Sequence, residues 1–349
     1  MGYRYGVLGA GRQGSAAAYD LAKFGDADTV VLGDADLAVA ERSAARLATL
    51  LDGHDVLRTA QVDVRDAAAV AAFMVGLDVC LSAVPYHFNE HLARVAIESG
   101  CSFCDLGGNA DVVNAELALD TQARDAGVSV VPDCGVGPGM ISNLAAYAIE
   151  QLDVARSVRI YDGGLLQHPR PPFNYAVFFN IEGLTNEYWG DALYLENGAV
   201  TPVPAFAPQE YELIDIPQLG KLEAFVTSGA LTTMAPALEG KLQTLKNKTL
   251  RYPGHYDLIT SLISVGLLNP EPIAVRGTMV APRDLLHELL LPRFAPQSDD
   301  RDLMVIHIVA EGQRYSRDAR VTVDLLDRHD EATGFTAMER TTGDRKSVV

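Results

Sequence analysis

The chain has 349 residues, enough for two cores of ordinary size, and 48 % of them are hydrophobic, so both can be filled. With 28 Lys and Arg against 46 Asp and Glu the formal charge is −18. That sign repels nucleic-acid phosphates and anionic lipid headgroups, leaves neither as an expected partner, and favours the approach of a cationic substrate.

No apolar run approaches the roughly 18 residues of a bilayer span. Met1-Gly2-Tyr3-Arg4-Tyr5 leads straight into an apolar strand rather than a secretory leader, so a cytoplasmic protein is expected. Cys80, Cys101, Cys104 and Cys134 lie in or beside strand-like segments. Cys101-x-x-Cys104 lacks a second pair at zinc spacing, so buried free thiols and no metal are expected.

The first part alternates strand and helix patterns. Strands are expected at 3–9, 29–33, 56–62, 77–84, 102–106 and 128–132. Helices are expected at 15–24, 37–51, 66–75, 89–99 and 115–126, with Asp66 as an N-cap and Gly100 and Gly127 as stops. Such alternation predicts a Rossmann-type, doubly wound α/β fold with a parallel sheet. Past about residue 150 the pattern changes. Strand-like runs at 157–162, 223–227, 249–252, 304–310 and 321–326 are interrupted by a proline-rich loop at 167–173 and helical segments at 257–267 and 282–290. This predicts a second α+β domain with a mainly antiparallel sheet. The expected boundaries are 1–150 for the first domain and 151–333 for the second. Whether 334–349 packs back on the first domain stays open.

Gly9-Ala-Gly11-Arg-Gln-Gly14 follows the first strand and opens the first helix. In that context Gly9 permits the turn, Gly11 lets backbone approach a pyrophosphate and Gly14 packs helix on strand. The N–H groups near Arg12 and Gln13 face the phosphates. Asp34, 20 residues beyond Gly14 and at the end of the second strand, suits the ribose hydroxyls and repels a 2′-phosphate. NAD is therefore the expected cofactor. By topology Asp63 and Val64 border the adenine, and Ser82, Ala83, Val84 and Pro85 the nicotinamide half.

Further motifs are Cys104-Asp-Leu-Gly-Gly108, Pro132-Asp-Cys-Gly-Val-Gly-Pro-Gly-Met140, Gly163-Gly164, Pro171-Pro-Phe-Asn-Tyr175, Glu182-Gly-Leu184, Glu223-Ala-Phe-Val-Thr-Ser-Gly229 and Lys248-Thr-Leu-Arg-Tyr-Pro-Gly-His255. With these in order, the sequence resembles the saccharopine dehydrogenase-like family, and within it most closely the lysine 6-dehydrogenases. The resemblance implies a Rossmann domain, a second α+β domain carrying substrate pocket and dimer contacts, and a homodimer or higher homo-oligomer. Members carry a longer helical tail than the one ending here at Val349.

The implied activity is NAD-dependent oxidative deamination of a basic amino acid, lysine at its ε-carbon foremost. It requires a base, a hydride acceptor and a cation for the carboxylate. Arg251 is the expected carboxylate anchor, and its neighbour His255 a candidate base. Asp105 and Asp133 follow parallel strands, where open α/β sheets place ligands, and are the other catalytic candidates. Tyr175 and Glu223 are candidates for the α-ammonium and His87 for the nicotinamide end. Each of these residues has a structural alternative. Two other readings stand beside this one: a saccharopine- or carboxyspermidine-type reductase acting on a secondary amine, and a non-catalytic NAD-binding protein.

Overall fold

A computed structural model of the chain describes residues 2–53 and 55–343; of the segment 334–349, residues 344–349 lie outside this description. The contacts divide the chain into two compact units. The first comprises the described residues of Met1–Met140, Glu331–Phe335 and Glu339–Val349, the second Ile141–Asp330 and Thr336–Met338. Among the described residues no helix is long and apolar enough to cross a membrane.

The first unit runs β1 (Tyr3–Leu8), α1 (Arg12–Phe24), β2 (Ala27–Asp34), α2 (Leu37–Ala48), β3 (Leu57–Gln61), α3 (Ala67–Met74), β4 (Val79–Ser82), α4 (Asn89–Glu98), β5 (Ser102–Asp105), α5 (Ala110–Leu117), α6 (Asp120–Ala126) and β6 (Val130–Val131). The strands form a wholly parallel sheet in the order β3-β2-β1-β4-β5-β6. Successive side chains leave opposite faces of a strand. Thus Val7 joins one apolar cluster, with Ala18, Leu32 and Leu47, while Leu8 joins another, with Val70, Leu92 and Phe103. Asp66 caps α3 as expected, accepting from the Ala68 N–H at 2.9 Å. The single helix expected at 115–126 is instead two. Asn109 starts α5 early by accepting from the N–H groups of Asp111 and Val112, and the chain turns before α6 at the buried Leu119.

The second unit opens with α7 (Met140–Glu150) and β7 (Val154–Leu166). Then come α8 (Ile181–Glu187), β8 (Asp191–Glu196), β9 (Ala199–Pro204), β10 (Glu212–Ile216), β11 (Gly220–Phe225), α9 (Met234–Leu238), β12 (Thr244–Arg251) and α10 (His255–Ser264). A small hairpin, β13 (Ile273–Val275) and β14 (Thr278–Val280), precedes α11 (Pro282–Phe294), β15 (Asp302–Arg314) and β16 (Arg317–Arg328); α12 (Ala337–Gly343) follows. The main sheet runs β10-β11-β12-β7-β15-β16, with β8 beside β12 and β9 beside β8. It is mixed: β12 and β7 pair in parallel, the other neighbours antiparallel. β7 and β15 extend well past the runs expected at 157–162 and 304–310, pairing from Asp302↔Leu166 to Gln313↔Val154. At one end the added residues include the buried Leu165, Leu166 and Leu303; at the other, through Arg156 and Glu311, ladder hydrogen bonds hold them rather than an apolar pattern. An aromatic core of Tyr175, Phe206, Phe225, Tyr256 and Phe294 packs in this unit.

Candidate functional site

The turn after β1 is built around three glycines with three different constraints. Gly9 has φ +92°, the region that favours glycine. A Cβ on Gly14 would lie 1.8 Å from the Gly9 carbonyl oxygen, so α1 can approach β1 only without one. A Cβ on Gly11 would meet no protein atom within 4 Å, so no protein neighbour requires that glycine. Gly11 is also the N-cap of α1, with no side chain capping it and no acid in the first turn. The free N–H groups at Arg12 and Gln13 and the positive end of the helix dipole make an anion cradle. Both polar side-chain atoms of Gln13 are buried without a partner. These features fit a dinucleotide, with its pyrophosphate over Gly11.

Asp34 ends β2 and accepts from the Ala10 N–H at 2.9 Å and the Asp36 N–H at 3.0 Å. It thereby ties the glycine turn to the place where a ribose would lie. Asp63 is paired with Arg65 at 2.6 Å, and the hydrogen bonds from Arg65 pull its carboxyl down to about 2. Val64 packs on the neighbouring apolar cluster. Ser82 is buried and donates to Asn89 Oδ1 at 2.7 Å, fixing the start of α4. The Ala83 backbone and the Val84 side chain crowd Gly9, and Pro85 opens the next turn.

At the carboxyl ends of β5 and β6 sit Asp105, 0 % exposed, and Asp133, 6 % exposed, joined by Glu116 of α5 at 1 %. The Gly107 N–H donates to Asp105 Oδ1 at 2.6 Å. Asp105 Oδ2, Asp133 Oδ2 and both oxygens of Glu116 have no hydrogen-bond partner. Burial pushes all three carboxyls up. Glu116 reaches about 9 and Asp133 about 8, each raised further by the charge of Asp105, while the Gly107 N–H restrains Asp105 itself. Like charges buried together cannot all ionise, so the cluster holds protons near neutrality. Such groups are poised to exchange a proton with a ligand. Among the described residues no set of three His, Cys, Asp or Glu side chains is arranged to hold a metal ion. The four cysteines are buried.

In the second unit Arg251, at the end of β12, is 4 % exposed and lies over the Tyr175 ring, 4.6 Å from its centroid. Burial opposes its charge, but Tyr188, Tyr175 and Glu187 more than offset this and keep it cationic. Its Nη1 donates to the Leu250 carbonyl at 2.9 Å, while Nε is buried without a partner. Two acids neighbour it. Burial pushes Glu187 up to about 8 and Asp162 up to about 6, each restrained by the Arg251 charge. Tyr175 is therefore a wall against the guanidinium.

Two expected site residues, His255 and Glu223, are corrected, while His87 keeps its place as an expectation. His255 is 0 % exposed, with Nδ1 3.0 Å from the Phe173 carbonyl and Nε2 2.9 Å from the Tyr188 hydroxyl. Burial and the Arg251 charge pull it down to about 3, so it is a neutral structural ring and not a base. Glu223 accepts from the N–H groups of Gly254 at 2.8 Å and Tyr256 at 2.9 Å, which makes it the cap of α10 and occupies both oxygens. His87 is exposed in a short turn, its ring 4.2 Å from that of Phe88, and makes no cap for α4. Sequence reasoning missed Glu116, Asp162 and Glu187. Only the Asp162-Gly-Gly motif edge could have drawn attention to one of them.

Two family models match the chain: the saccharopine dehydrogenase NADP binding domain over residues 5–131 and the saccharopine dehydrogenase C-terminal domain over residues 135–345. The chain is 25 % identical over 312 residues to carboxynorspermidine synthase of Vibrio cholerae, covering 81 % of this chain and 71 % of that protein. It is 24 % identical over 254 residues to the NADP(+), L-glutamate-forming saccharopine dehydrogenase of Schizosaccharomyces pombe, covering 67 % of this chain and 53 % of that one. The fold matches apo saccharopine dehydrogenase (L-Glu forming) from Saccharomyces cerevisiae with a TM-score of 0.78 at 18 % identity, over 99 % of this chain and 90 % of that one.

Proposed function

The chain belongs to the saccharopine dehydrogenase family of NAD(P)-binding oxidoreductases, and from that premise we propose that it oxidises the carbon–nitrogen bond of an amino acid bearing one carboxylate. The best candidate is lysine at its ε-carbon, giving 2-aminoadipate 6-semialdehyde and ammonia, with NAD as cofactor. The observation that carries this reading is Arg251, a buried cation with an unpartnered Nε and acids beside it. One such arginine matches one carboxylate. Among the other arginines of the second unit, Arg159 and Arg170 are paired with Glu311 and Asp300, and Arg276 lies exposed in the turn of the β13–β14 hairpin. Saccharopine, with three carboxylates, would call for further cations beside Arg251.

A bound nicotinamide supplies the hydride acceptor. The substrate ammonium must lose a proton before its carbon can release hydride; in the first unit Asp105 is the candidate acceptor, because Asp133 and Glu116 beside it are pushed up to about 8 and 9 and hold their own protons at neutral pH. Glycines 9, 11 and 14 with Asp34 hold the cofactor, and Asp34 disfavours a 2′-phosphate. Arg251 fixes the carboxylate. The acids Glu187 and Asp162 also suit a polyamine with a single carboxylate, so a carboxyspermidine-type reaction is the second reading, supported by the likeness to carboxynorspermidine synthase. A homodimer goes with the proposal and is checked by light scattering.

The test is NADH formation across lysine, saccharopine and carboxynorspermidine, with lysine labelled at one nitrogen. Lysine should be oxidised and the ammonia should carry the ε-nitrogen. Arg251→Met should raise KM for lysine more than KM for NAD. Turnover of carboxynorspermidine alone would install the second reading.

A further inference from the structure

Helix α5 buries one face through Val113 and Glu116, three residues apart. An acid at such a core position costs stability unless it is paired. Glu116 is 1 % exposed, and the charges that weigh on it most are those of Asp105, Asp133 and, from α4, Glu90, all acids. Glu90 is itself paired with Arg94 at 2.8 Å. Around Asp105 the other donors are already fixed. The Gly107 N–H donates to Oδ1 at 2.6 Å. Ser82 lies level with Asp105 in the pairing of β4 with β5 and donates to Asn89 Oδ1 at 2.7 Å, which turns the Asn89 amide nitrogen towards Asp105. Beyond β6, Asp133 closes in where Gly107 has no Cβ; one there would lie 2.5 Å from Asp133 Oδ1.

Besides Asp133 Oδ2, this leaves Asp105 Oδ2 and both oxygens of Glu116 buried with no N–H or hydroxyl to accept from. Two carboxylates can only accept, so as anions these neighbours repel. A single proton on Glu116 turns their contact into a charge-assisted hydrogen bond and satisfies both residues. Burial and the surrounding acids keep that proton on Glu116 up to about pH 9. Asp133, pushed up to about 8, is neutral as well, and burial keeps the preceding strand's Cys104 a thiol. Asp105 is thus the acid left to ionise. Each carboxylate oxygen carries two lone pairs, so Asp105 can still accept a further proton. We infer that Glu116 is a positioning residue whose carboxylic acid donates to Asp105 and keeps Asp105 as the ionised member that takes up the substrate's proton. The inference rests on the proposed amine-oxidising reading, in which Asp105 is the acceptor; Glu116 acts through Asp105 alone.

Two substitutions separate the possibilities. Leucine at 116 removes the donor and fills the same buried space, whereas glutamine keeps a donor there without a charge. Aspartates labelled at the carboxyl carbon report the titration of Asp105 by magnetic resonance, its line being the one lost in Asp105→Asn. Glu116→Leu should raise that titration by about one to two pH units, the worth of one hydrogen bond to a charged group. The acidic limb of kcat/KM for lysine should move up with it, while KM for NAD stays unchanged. Glu116→Gln should leave both where they are. A Glu116→Leu protein, folded by its melting curve, whose Asp105 titration does not move overturns the inference. Should that variant not fold, Glu116→Gln decides alone. If Glu116 were an anion, removing its charge would lower the Asp105 titration, and such a drop also overturns the inference. Titrations that move as stated, with no NADH formed from lysine, saccharopine or carboxynorspermidine, keep Glu116 as the donor to Asp105 and remove the amine-oxidising reading. NADH formed from lysine with an acidic limb unmoved by leucine keeps that reading and removes Glu116 from it.

Discussion

The Tyr188 hydroxyl donates to Nε2 of His255 across 2.9 Å, and the same ring's Nδ1 donates to the Phe173 carbonyl across 3.0 Å. The carbonyl can only accept, so Nδ1 carries the proton and Nε2 is left as acceptor. Because burial and the Arg251 charge pull the ring down to about 3, against the ordinary 6.5, the folded protein binds fewer protons than the unfolded one between those values. The stability it contributes is complete above about pH 6.5 and is lost as pH falls towards 3.

Replacing His255 with Leu strands the Phe173 carbonyl and the Tyr188 hydroxyl, at a cost of about 2–4 kcal/mol in a denaturant melt. The limbs of the pH–rate profile should stay where they are. Loss of a limb near neutrality in that variant would restore His255 as a base.

Glu116 behaves with the opposite sign. Its folded value of about 9 lies above the ordinary 4.5, so the stability it contributes is complete below about pH 4.5 and is lost as pH rises through 9. Glu116→Gln is neutral at every pH. Its melting temperature relative to the wild type should be near zero at about pH 5 and positive by several degrees at about pH 8. A difference that stays flat across this range would show that Glu116 is ionised when folded.

Gly11 and Gly14 should fail differently. Alanine at position 11 has φ −71° available and meets no neighbour, so Gly11→Ala should melt within about 1 kcal/mol of the wild type and bind cofactor at least about tenfold more weakly. Alanine at position 14 would run into the Gly9 carbonyl, so Gly14→Ala should lose stability before any cofactor is added. Fluorescence titration with NADH, run beside thermal melts, separates the two. Unchanged cofactor affinity in Gly11→Ala would remove the pyrophosphate from that position.

Asp34 should decide between the two dinucleotides. Its carboxylate already accepts from two backbone N–H groups, which orient it before any ribose arrives. Asp34→Asn should weaken NAD by about tenfold to a hundredfold, the loss of charge-assisted hydrogen bonds, and should weaken NADP less. A titration in which the wild type holds NADP as tightly as NAD would refute the assignment.

Much of the first unit was legible because its central strands β1, β4 and β5 end in buried runs and each helix has a punctuating cap or glycine. The roles of Gly9, Gly11 and Gly14 follow from their spacing and agree with the space found around each. The second unit was less legible. β7 and β15 run on through charged residues such as Arg156 and Glu311, where no apolar alternation marks a strand, and pairing with a neighbour determines their length. Asp162 comes beside Arg251 only when β7 and β12 lie side by side in register, which no local pattern encodes. His255 and Glu223 stood out because of their motifs, yet burial made one a neutral ring and the other a helix cap. Glu116 gave no sign at all, since on a helix it reads as one more surface acid.

Each face of strand β12 sets one buried leucine, Leu245 or Leu250, among polar and charged side chains. Lys246 and Lys248 are held on one face by Glu196, Glu210 and Glu212, and Arg251 works on the other. Alignment in most sheets is policed by hydrophobic residues that refuse to face water. On β12 Leu245 and Leu250 share that duty with ion pairs, so the strand is indexed by charge as well, like a key whose teeth are cut on both edges. A slip of one residue would turn the lysines inward and carry Arg251 out of its pocket. Weakening the outer pairs should therefore blunt substrate selection on the inner face without touching a single residue there.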